Sequence, residues 1–156
     1  MNSPKKRKPS GNTPLFTFAA KITSSLPEGV IVTFRDLPEL KIVEKTYDEA
    51  IAASRKCLEG VIATSIKKGN LLPTPSSLIE GEIYIGVPIQ MALKGALNIA
   101  MSQAQLTKVE LARRLGVDEK EARRILDPSH PTKVSTLERA LAVLGFAIEL
   151  GLINLD

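Results

Sequence analysis

Three side chains in one short charged stretch have the chemistry to read the edges of DNA bases. Glu119, Lys120 and Arg123 lie in the first part of a predicted helix, on the side away from its apolar residues. In the major groove a carboxylate can accept a hydrogen bond from cytosine, and arginine or lysine can donate to guanine. Arg124 and Lys108 lie where they could contact phosphate groups instead. We therefore predict that these five residues bind DNA.

The elements that must position these side chains form a helix-turn-helix and a closing helix, between residues 106 and 145. Gly116 supplies the turn, because a residue with a Cβ atom resists the left-handed backbone that ends a helix. Asp118 can cap the second helix, and Glu121 can complete a capping box. The alternative interpretation is a small helical bundle with a charged surface. The positions predicted to face inward are Val109, Ala112, Leu115, Ala122, Ile125 and Leu126.

Carboxylates near a predicted sheet suggest a second chemistry, that of a metal-dependent nuclease. Asp36, Asp48 and Glu49 could hold two metal ions as the carboxylates of ribonuclease H do. However, Glu49 fits a capping box with Thr46, and Asp36 follows a strand in a turn, where aspartate is common. No carboxylate lies inside either of the first two predicted strands. A nuclease that uses Asp36 and Asp48 remains an alternative, and no metal site is predicted.

The rarest side chains exclude several other kinds of site. Cys57 is the only cysteine and His130 the only histidine, so an internal disulfide is impossible and a zinc site is not expected. Cys57 falls on an apolar stripe, which predicts a packed thiol rather than a nucleophile. No apolar run is long enough to cross a membrane, and the basic N-terminus lacks the apolar core of a secretory signal. These features predict a cytoplasmic protein.

Apolar periodicity predicts the order β-β-β-α-β ahead of the helix-turn-helix. Thr46 caps the helix and Gly69 ends it, while Pro73 and Pro75 forbid its continuation. This order predicts an α+β fold, in which one long helix packs across a small sheet. The predicted strands are residues 16–22, 30–34, 40–43 and 83–87. The predicted apolar stripe of the helix is Tyr47, Ala50, Ile51, Cys57, Leu58, Val61 and Ile62.

Charge is distributed unevenly along the chain. The net charge is +4, and residues 5–8 alone hold four basic side chains. Residues 1–14 cannot bury a core, so we predict a disordered basic tail that is solvated or contacts nucleic acid. Residues 84–156 hold nine basic and eight acidic side chains, so DNA binding there requires basic residues gathered on one face. The predicted division is a tail (1–14), a sheet domain (15–87) and a helical domain (88–156).

Short motifs along the chain occur in a distinctive order. They are FRDLP (34–38), YDEA (47–50), LPTPS (72–76), ELARRLGV (110–117), RILDP (124–128) and TLERAL (136–141). With these motifs the chain resembles the HicB antitoxins of bacterial toxin–antitoxin systems, in the branch that carries a helix-turn-helix. The resemblance covers residues 16–145. The chain departs from the family at Glu39, where a glycine is common, and the resemblance does not include the basic tail.

The resemblance implies a bacterial, non-enzymatic protein with two kinds of partner and no cofactor. The sheet domain would be a partial ribonuclease-H-like fold without activity, and it would mask a HicA-type toxin that cleaves messenger RNA. The helical domain would form a homodimer, or a higher oligomer, on operator DNA and repress its own operon. A stand-alone transcription regulator, whose N-terminal domain senses a ligand, is a further alternative.

Toxin contacts are predicted from the residues alone, at three places in the predicted sheet domain. They are the edge that follows the second strand, the proline-rich turn after the long helix, and exposed positions of that helix. Exposed backbone in such a turn suits the binding of a partner. The predicted toxin-binding residues are Phe34, Asp36, Leu37, Pro73, Thr74, Pro75 and Ser76.

Overall fold

The computed structural model of the protein describes residues 15–152, which form a mixed α+β fold. The strands are β1 (Thr17–Ser25), β2 (Gly29–Phe34), β3 (Lys41–Glu44) and β4 (Glu82–Gly86). The helices are α1 (Tyr47–Lys68), α2 (Ile89–Ala104), α3 (Lys108–Leu115), α4 (Glu119–Leu126) and α5 (Val134–Val143). The predicted β-β-β-α-β order and the run of helices after it are confirmed. The predicted basic tail, residues 1–14, lies outside the described residues.

The four strands form one antiparallel sheet in the order β3-β2-β1-β4. Side chains alternate between its two faces, and the inner face packs against α1. Gly29 begins β2 with a φ of 99°, and a Cβ atom there would run into the carbonyl oxygen of Glu44 on β3. Glycine is therefore needed where the β1–β2 hairpin meets the third strand. The inner-face core consists of Phe18, Ala20, Val32, Phe34, Ile42 and Ile85.

Helix α1 has the predicted ends, and its predicted apolar stripe is confirmed at Ala50, Leu58 and Ile62 but is wrong at Tyr47, which is 51% exposed. The Glu49 amide donates to the Thr46 hydroxyl (3.3 Å), and the Thr46 amide donates to the Glu49 carboxylate (3.1 Å). Gly69 ends the helix in the left-handed conformation, with a φ of 67°. The prediction of a packed Cys57 is wrong, since this side chain is exposed. It lies to one side of the buried stripe, which recurs every fourth residue: Ala50, Ser54, Leu58 and Ile62.

Helices α2 to α5 enclose a second core. The predicted inner face of α3 is partly wrong, because Val109 is 55% exposed whereas Leu111 is fully buried. Ala112 and Leu115, one and four residues after Leu111, are buried beside it as predicted. None of the helices in the described part of the chain is long and apolar enough to span a membrane. The second core consists of Leu93, Leu97, Ala100, Leu111, Leu115, Ile125, Leu137, Ala140, Leu141 and Leu144.

Helix α2 connects the two cores and follows β4 after residues 87 and 88. Met91 packs in the sheet core, and Leu93 packs in the helical core on the other side of the same helix. Gly95 lies against the ring of Phe16, and a Cβ atom at residue 95 would overlap that ring. Because α2 contributes to both cores, the boundary between residues 87 and 88 stays a prediction.

Candidate functional site

Helix α4, the predicted recognition helix, is a two-turn helix with a firm N-terminal cap. The Asp118 carboxylate accepts a hydrogen bond from the Glu121 amide at 2.7 Å, as predicted. In the described chain Glu121 does not complete the capping box, since its carboxylate lies 3.6 Å from the Arg124 guanidinium instead. Ala122 and Ile125 are buried on the inner face. The cap and these two contacts hold α4 with its charged face toward solvent.

The charged face of α4 presents the predicted base-reading residues together. Glu119, Lys120, Arg123 and Arg124 are all exposed. Arg123 donates to the Glu119 carboxylate at 3.3 Å, one helical turn away. Ion pairs between exposed side chains are weak, so neither group is held tightly in place. These side chains are therefore able to exchange their contacts with each other for contacts with a ligand.

Lys108, the fifth predicted DNA-binding residue, lies in the first turn of α3 and is exposed. Among residues 15–152 no carboxylate lies within ion-pair distance of its ammonium group. The two arginines of the same helix differ, because Arg113 and Arg114 both bind Glu110, at 2.6 and 3.2 Å. The hydrogen bonds from Arg113 and then Arg114 lower the pKa of Glu110 to about 2. Lys108 is thus more available to an anionic ligand than its neighbours.

A groove of about 630 Å³ brings basic side chains from three helices to one place. Lys108 and Arg123 line it, and so does Lys67 from the last turn of α1. Its apolar wall includes Met101 and Leu106. The sequence prediction omits Lys67, because a basic last turn also stabilises a helix dipole and has no functional signal of its own. Only the packing of α1 near the helix-turn-helix places it beside the predicted DNA-binding residues.

The second candidate surface is the partner loop, residues 73–79, between α1 and β4. Asp36, which follows β2, accepts hydrogen bonds from the Ser76 amide (2.8 Å) and the Ser76 hydroxyl (2.5 Å). The structure therefore joins two predicted toxin-binding residues that are 40 positions apart. Asp36 is committed to this contact, and Asp48 is exposed in the first turn of α1. In the described residues no group of three or more His, Cys, Asp and Glu side chains could hold a metal ion.

An ion pair between the exposed Arg35 and the largely covered side chain of Glu82 fixes the far end of the partner loop. Arg35 binds the Glu82 carboxylate with two nitrogens, at 3.1 and 2.9 Å, and donates to the Ser77 carbonyl at 2.6 Å. Glu82 also accepts from the Ile79 amide at 3.1 Å. The hydrogen bonds from Arg35 and then from Ile79 lower the pKa of Glu82. Neither Arg35 nor Glu82 is among the predicted site residues, since nothing local in the sequence links them.

The predicted toxin-binding residues divide by exposure. Phe34 and Leu37 are 2% and 5% exposed and belong to the sheet core, so they support the surface rather than form it. Pro75 is also buried, whereas Thr74 is exposed. Apolar side chains that sequence reasoning did not single out lie exposed beside them: Leu71, Leu78 and Ile79. The exposed part of the candidate surface is thus Thr74 with these apolar neighbours.

Comparison with known proteins finds similarity to HicB antitoxins, both in a family model and in individual proteins. Residues 17–96 match a family model described as the HicB-like antitoxin of bacterial toxin–antitoxin systems. Antitoxin HicB of Escherichia coli K12 is 31% identical over 133 residues, which are 85% of this chain and 96% of that protein. Antitoxin HicB 2 of Photorhabdus laumondii is 36% identical over 122 residues, 78% of this chain and 86% of that protein. Antitoxin HicB of Pseudomonas fluorescens is 28% identical over 137 residues, or 87% and 93%.

Proposed function

The chain belongs to the HicB-like antitoxin family, and from this premise we propose that it neutralises a HicA-type toxin and represses its own operon by binding DNA. The sheet domain would mask the toxin, and the helical domain would hold operator DNA as a homodimer. The protein would act by binding alone, without cofactor or catalysis. Each of the two proposed functions is assigned to its own candidate surface: toxin binding to the partner loop and DNA binding to the charged face of α4.

The observation that carries the DNA-binding proposal is the exposed charged face of α4. The opposite face of this short helix packs on the helical core through Ala122 and Ile125. A recognition helix presents its first residues to base edges in the major groove. Lys120 and Arg123 are the donors suited to guanine, and Glu119 is the acceptor suited to cytosine. Because residues 84–156 are nearly neutral, a few placed side chains must supply the binding. A dimer would set two such helices about 34 Å apart on a pseudo-palindromic site.

The partner loop supports the toxin-binding proposal because its shape is set before a partner arrives. Asp36 holds the loop at Ser76, and Arg35 holds it at Ser77. A preorganised surface binds more tightly, since less conformational entropy is lost on association. Exposed apolar side chains on such a loop, of which Ile79 is one, are suited to burial against a protein. The proposed toxin contacts are therefore Thr74, Leu78 and Ile79, with Asp36 and Ser76 as supports.

A selection experiment tests DNA binding. The wild-type protein would select duplexes from a random-sequence pool, and the affinity for the selected duplex would then be measured. We expect Lys120→Ala with Arg123→Ala to lower that affinity about a hundredfold, since each base contact contributes roughly tenfold. Lys21→Ala with Lys56→Ala is the matched control, because it removes the same charge from β1 and α1. Affinity of the first variant within about twofold of the wild type would refute the assignment.

Co-purification tests toxin binding. The chain would be expressed with a tagged HicA-type toxin, and the recovered complex and residual toxin activity on RNA would be measured. We expect a stable complex without RNA cleavage, retained by the variant with Lys120→Ala and Arg123→Ala. A chain that does not bind the toxin would refute this part of the proposal. Magnesium-dependent RNA cleavage by the chain alone, abolished by Asp36→Ala, would instead support the nuclease alternative.

A further inference from the structure

Lys94 is a buried lysine in the middle of α2, 2% exposed among apolar neighbours. Its ammonium group donates to the carbonyl oxygens of Arg124 (3.0 Å) and Ile125 (2.6 Å), and to the Thr132 hydroxyl (2.7 Å). A lysine ammonium has three N–H donors, and here each has an acceptor. Within the described residues no carboxylate forms an ion pair with it.

Two of the three acceptors of Lys94 lie at the C-terminal end of α4. The last four carbonyl groups of a helix have no partner within the helix, and they carry the negative end of the helix dipole. Arg124 and Ile125 supply two of these carbonyls, and that of Arg124 also accepts a hydrogen bond from the Asp127 amide at 3.2 Å. Thr132 belongs to the loop that follows α4, and its carbonyl oxygen accepts a hydrogen bond from Gln90 of α2 at 2.7 Å. Two side chains of α2 thus hold both the end of α4 and the loop after it.

Connecting two helices through a buried charge costs free energy, because the charge must leave water. Burial lowers the pKa of Lys94 to about 8, and the charge of Asp127 raises it only in part. Apolar side chains often stabilise a core as well as or better than buried charges do. Directional hydrogen bonds, in contrast, specify one position of α4 along and around its axis. Apolar packing alone tolerates small shifts more readily.

We infer that Lys94 is a positioning residue for DNA recognition, which orients α4 by binding its C-terminal carbonyl groups. This inference rests on the proposed DNA binding. The next residue along α2, Gly95, receives the ring of Phe16 from the start of the sheet. The same turn of α2 is therefore fixed on one side to the sheet and bonded on the other side to the recognition helix. Lys94 touches no DNA itself and acts through the side chains that α4 carries.

Two variants of the full-length chain test this role. Lys94→Met removes all three hydrogen bonds and keeps an apolar stem, and Thr132→Val removes one acceptor at nearly constant volume. Each would be measured against the duplex that the wild-type protein selects and against a scrambled duplex. The matched control is Lys56→Met, which removes the same charge from an exposed position of α1. Amide hydrogen exchange in α4 would report whether its last turn has loosened.

We expect Lys94→Met to lower the affinity for the selected duplex about tenfold, as losing one well-placed base contact does, with little change for the scrambled duplex. Thr132→Val should show a smaller loss in the same direction, and α4 amides should exchange faster in both. Unchanged discrimination in a folded Lys94→Met would overturn the inference, as would an equal loss on both duplexes. If Lys94→Met does not fold, the result of Thr132→Val decides. A wild-type protein that selects no duplex refutes the proposed DNA binding instead.

Discussion

The two candidate surfaces hold their charged side chains in opposite ways. At the partner loop, charged groups bind partners far along the chain: Arg35 binds Glu82, and Asp36 binds Ser76. On the helix-turn-helix, the ion pairs are local and exposed, and that between Arg123 and Glu119 spans one helical turn. Long-range bonds order the shape of a loop, whereas exposed local pairs are weak and easily exchanged. The partner loop is therefore preformed, and the charged side chains of α4 are adjustable on a rigid helix.

The difference is consistent with what each surface is proposed to bind. A protein partner buries apolar surface, and its binding gains from a loop that is already ordered. DNA binding gains from side chains that can leave one partner for a base or a phosphate. The rigid part on the helical side is the backbone of α4 rather than its charged groups, and Lys94 and the Asp118 cap lie at its two ends.

The variants with the largest expected effect test whether the sheet core and the helical core unfold together. Leu58→Ala in the sheet core and Leu111→Ala in the helical core should each lower the free energy of unfolding by about 3 kcal/mol, because each leaves a cavity. Since α2 contributes to both cores, we expect one shared transition in urea followed by circular dichroism. Val109→Ala, at an exposed position of α3, should change stability by less than about 0.5 kcal/mol. Two separate transitions, each sensitive to one variant, would show independent domains.

The next effect concerns the partner loop alone. Arg35→Met removes the hydrogen bonds to Glu82 and Ser77 and keeps an apolar stem of similar length. We expect affinity for the toxin to fall about tenfold, because the loop must then be ordered on binding. Affinity for the selected duplex should not change. Calorimetric titration measures the affinity for the toxin, and Arg55→Met, on the exposed side of α1, is the control. An equal loss on both ligands would contradict the separation of the two surfaces.

A pH series measures the burial of Lys94 on the helical side. Its pKa of about 8 in the folded chain lies below the ordinary lysine value of 10.5, so the unfolded chain binds more protons between these two values. The contribution of Lys94 to stability should therefore rise with pH across this window, by at most about 1.4 kcal/mol per pH unit. Lys94→Met should lack this rise in urea unfolding at several pH values. A difference between the two proteins that stays flat from pH 8 to 10 would contradict it.

The smallest effect is a gain in stability on the sheet side. The hydroxyl of Ser54 is buried in the stripe of α1 and has no hydrogen-bond partner among the described residues. Ser54→Ala should raise the free energy of unfolding by about 1 kcal/mol, because it removes an unpaired buried polar group and favours the helix. Ser65→Ala, at a half-buried position of the same helix, should gain only the helical part. A loss of stability in Ser54→Ala would show that the hydroxyl has a partner.

Local rules account for most of what the sequence predicts. The order of strands and helices, the Thr46 capping box, the Gly69 and Gly116 helix ends and the charged face of α4 all follow from patterns within about four residues. The errors also have a local cause. Val109 lies beside the buried face of α3, and Cys57 lies beside the buried stripe of α1. The apolar character of a residue does not show which of two adjacent positions faces the core.

The tertiary structure alone decides which distant residues meet. Arg35 and Glu82 are 47 positions apart, and Lys94 reaches carbonyl groups 30 and 31 positions away. No periodicity or spacing specifies such pairs, because they depend on how β2 and β4 flank β1 and on how α2 packs against α4. The sequence by itself therefore determines which residues α4 exposes to solvent. Packing determines what holds α4 in place, since orientation comes from contacts that only the folded chain brings together.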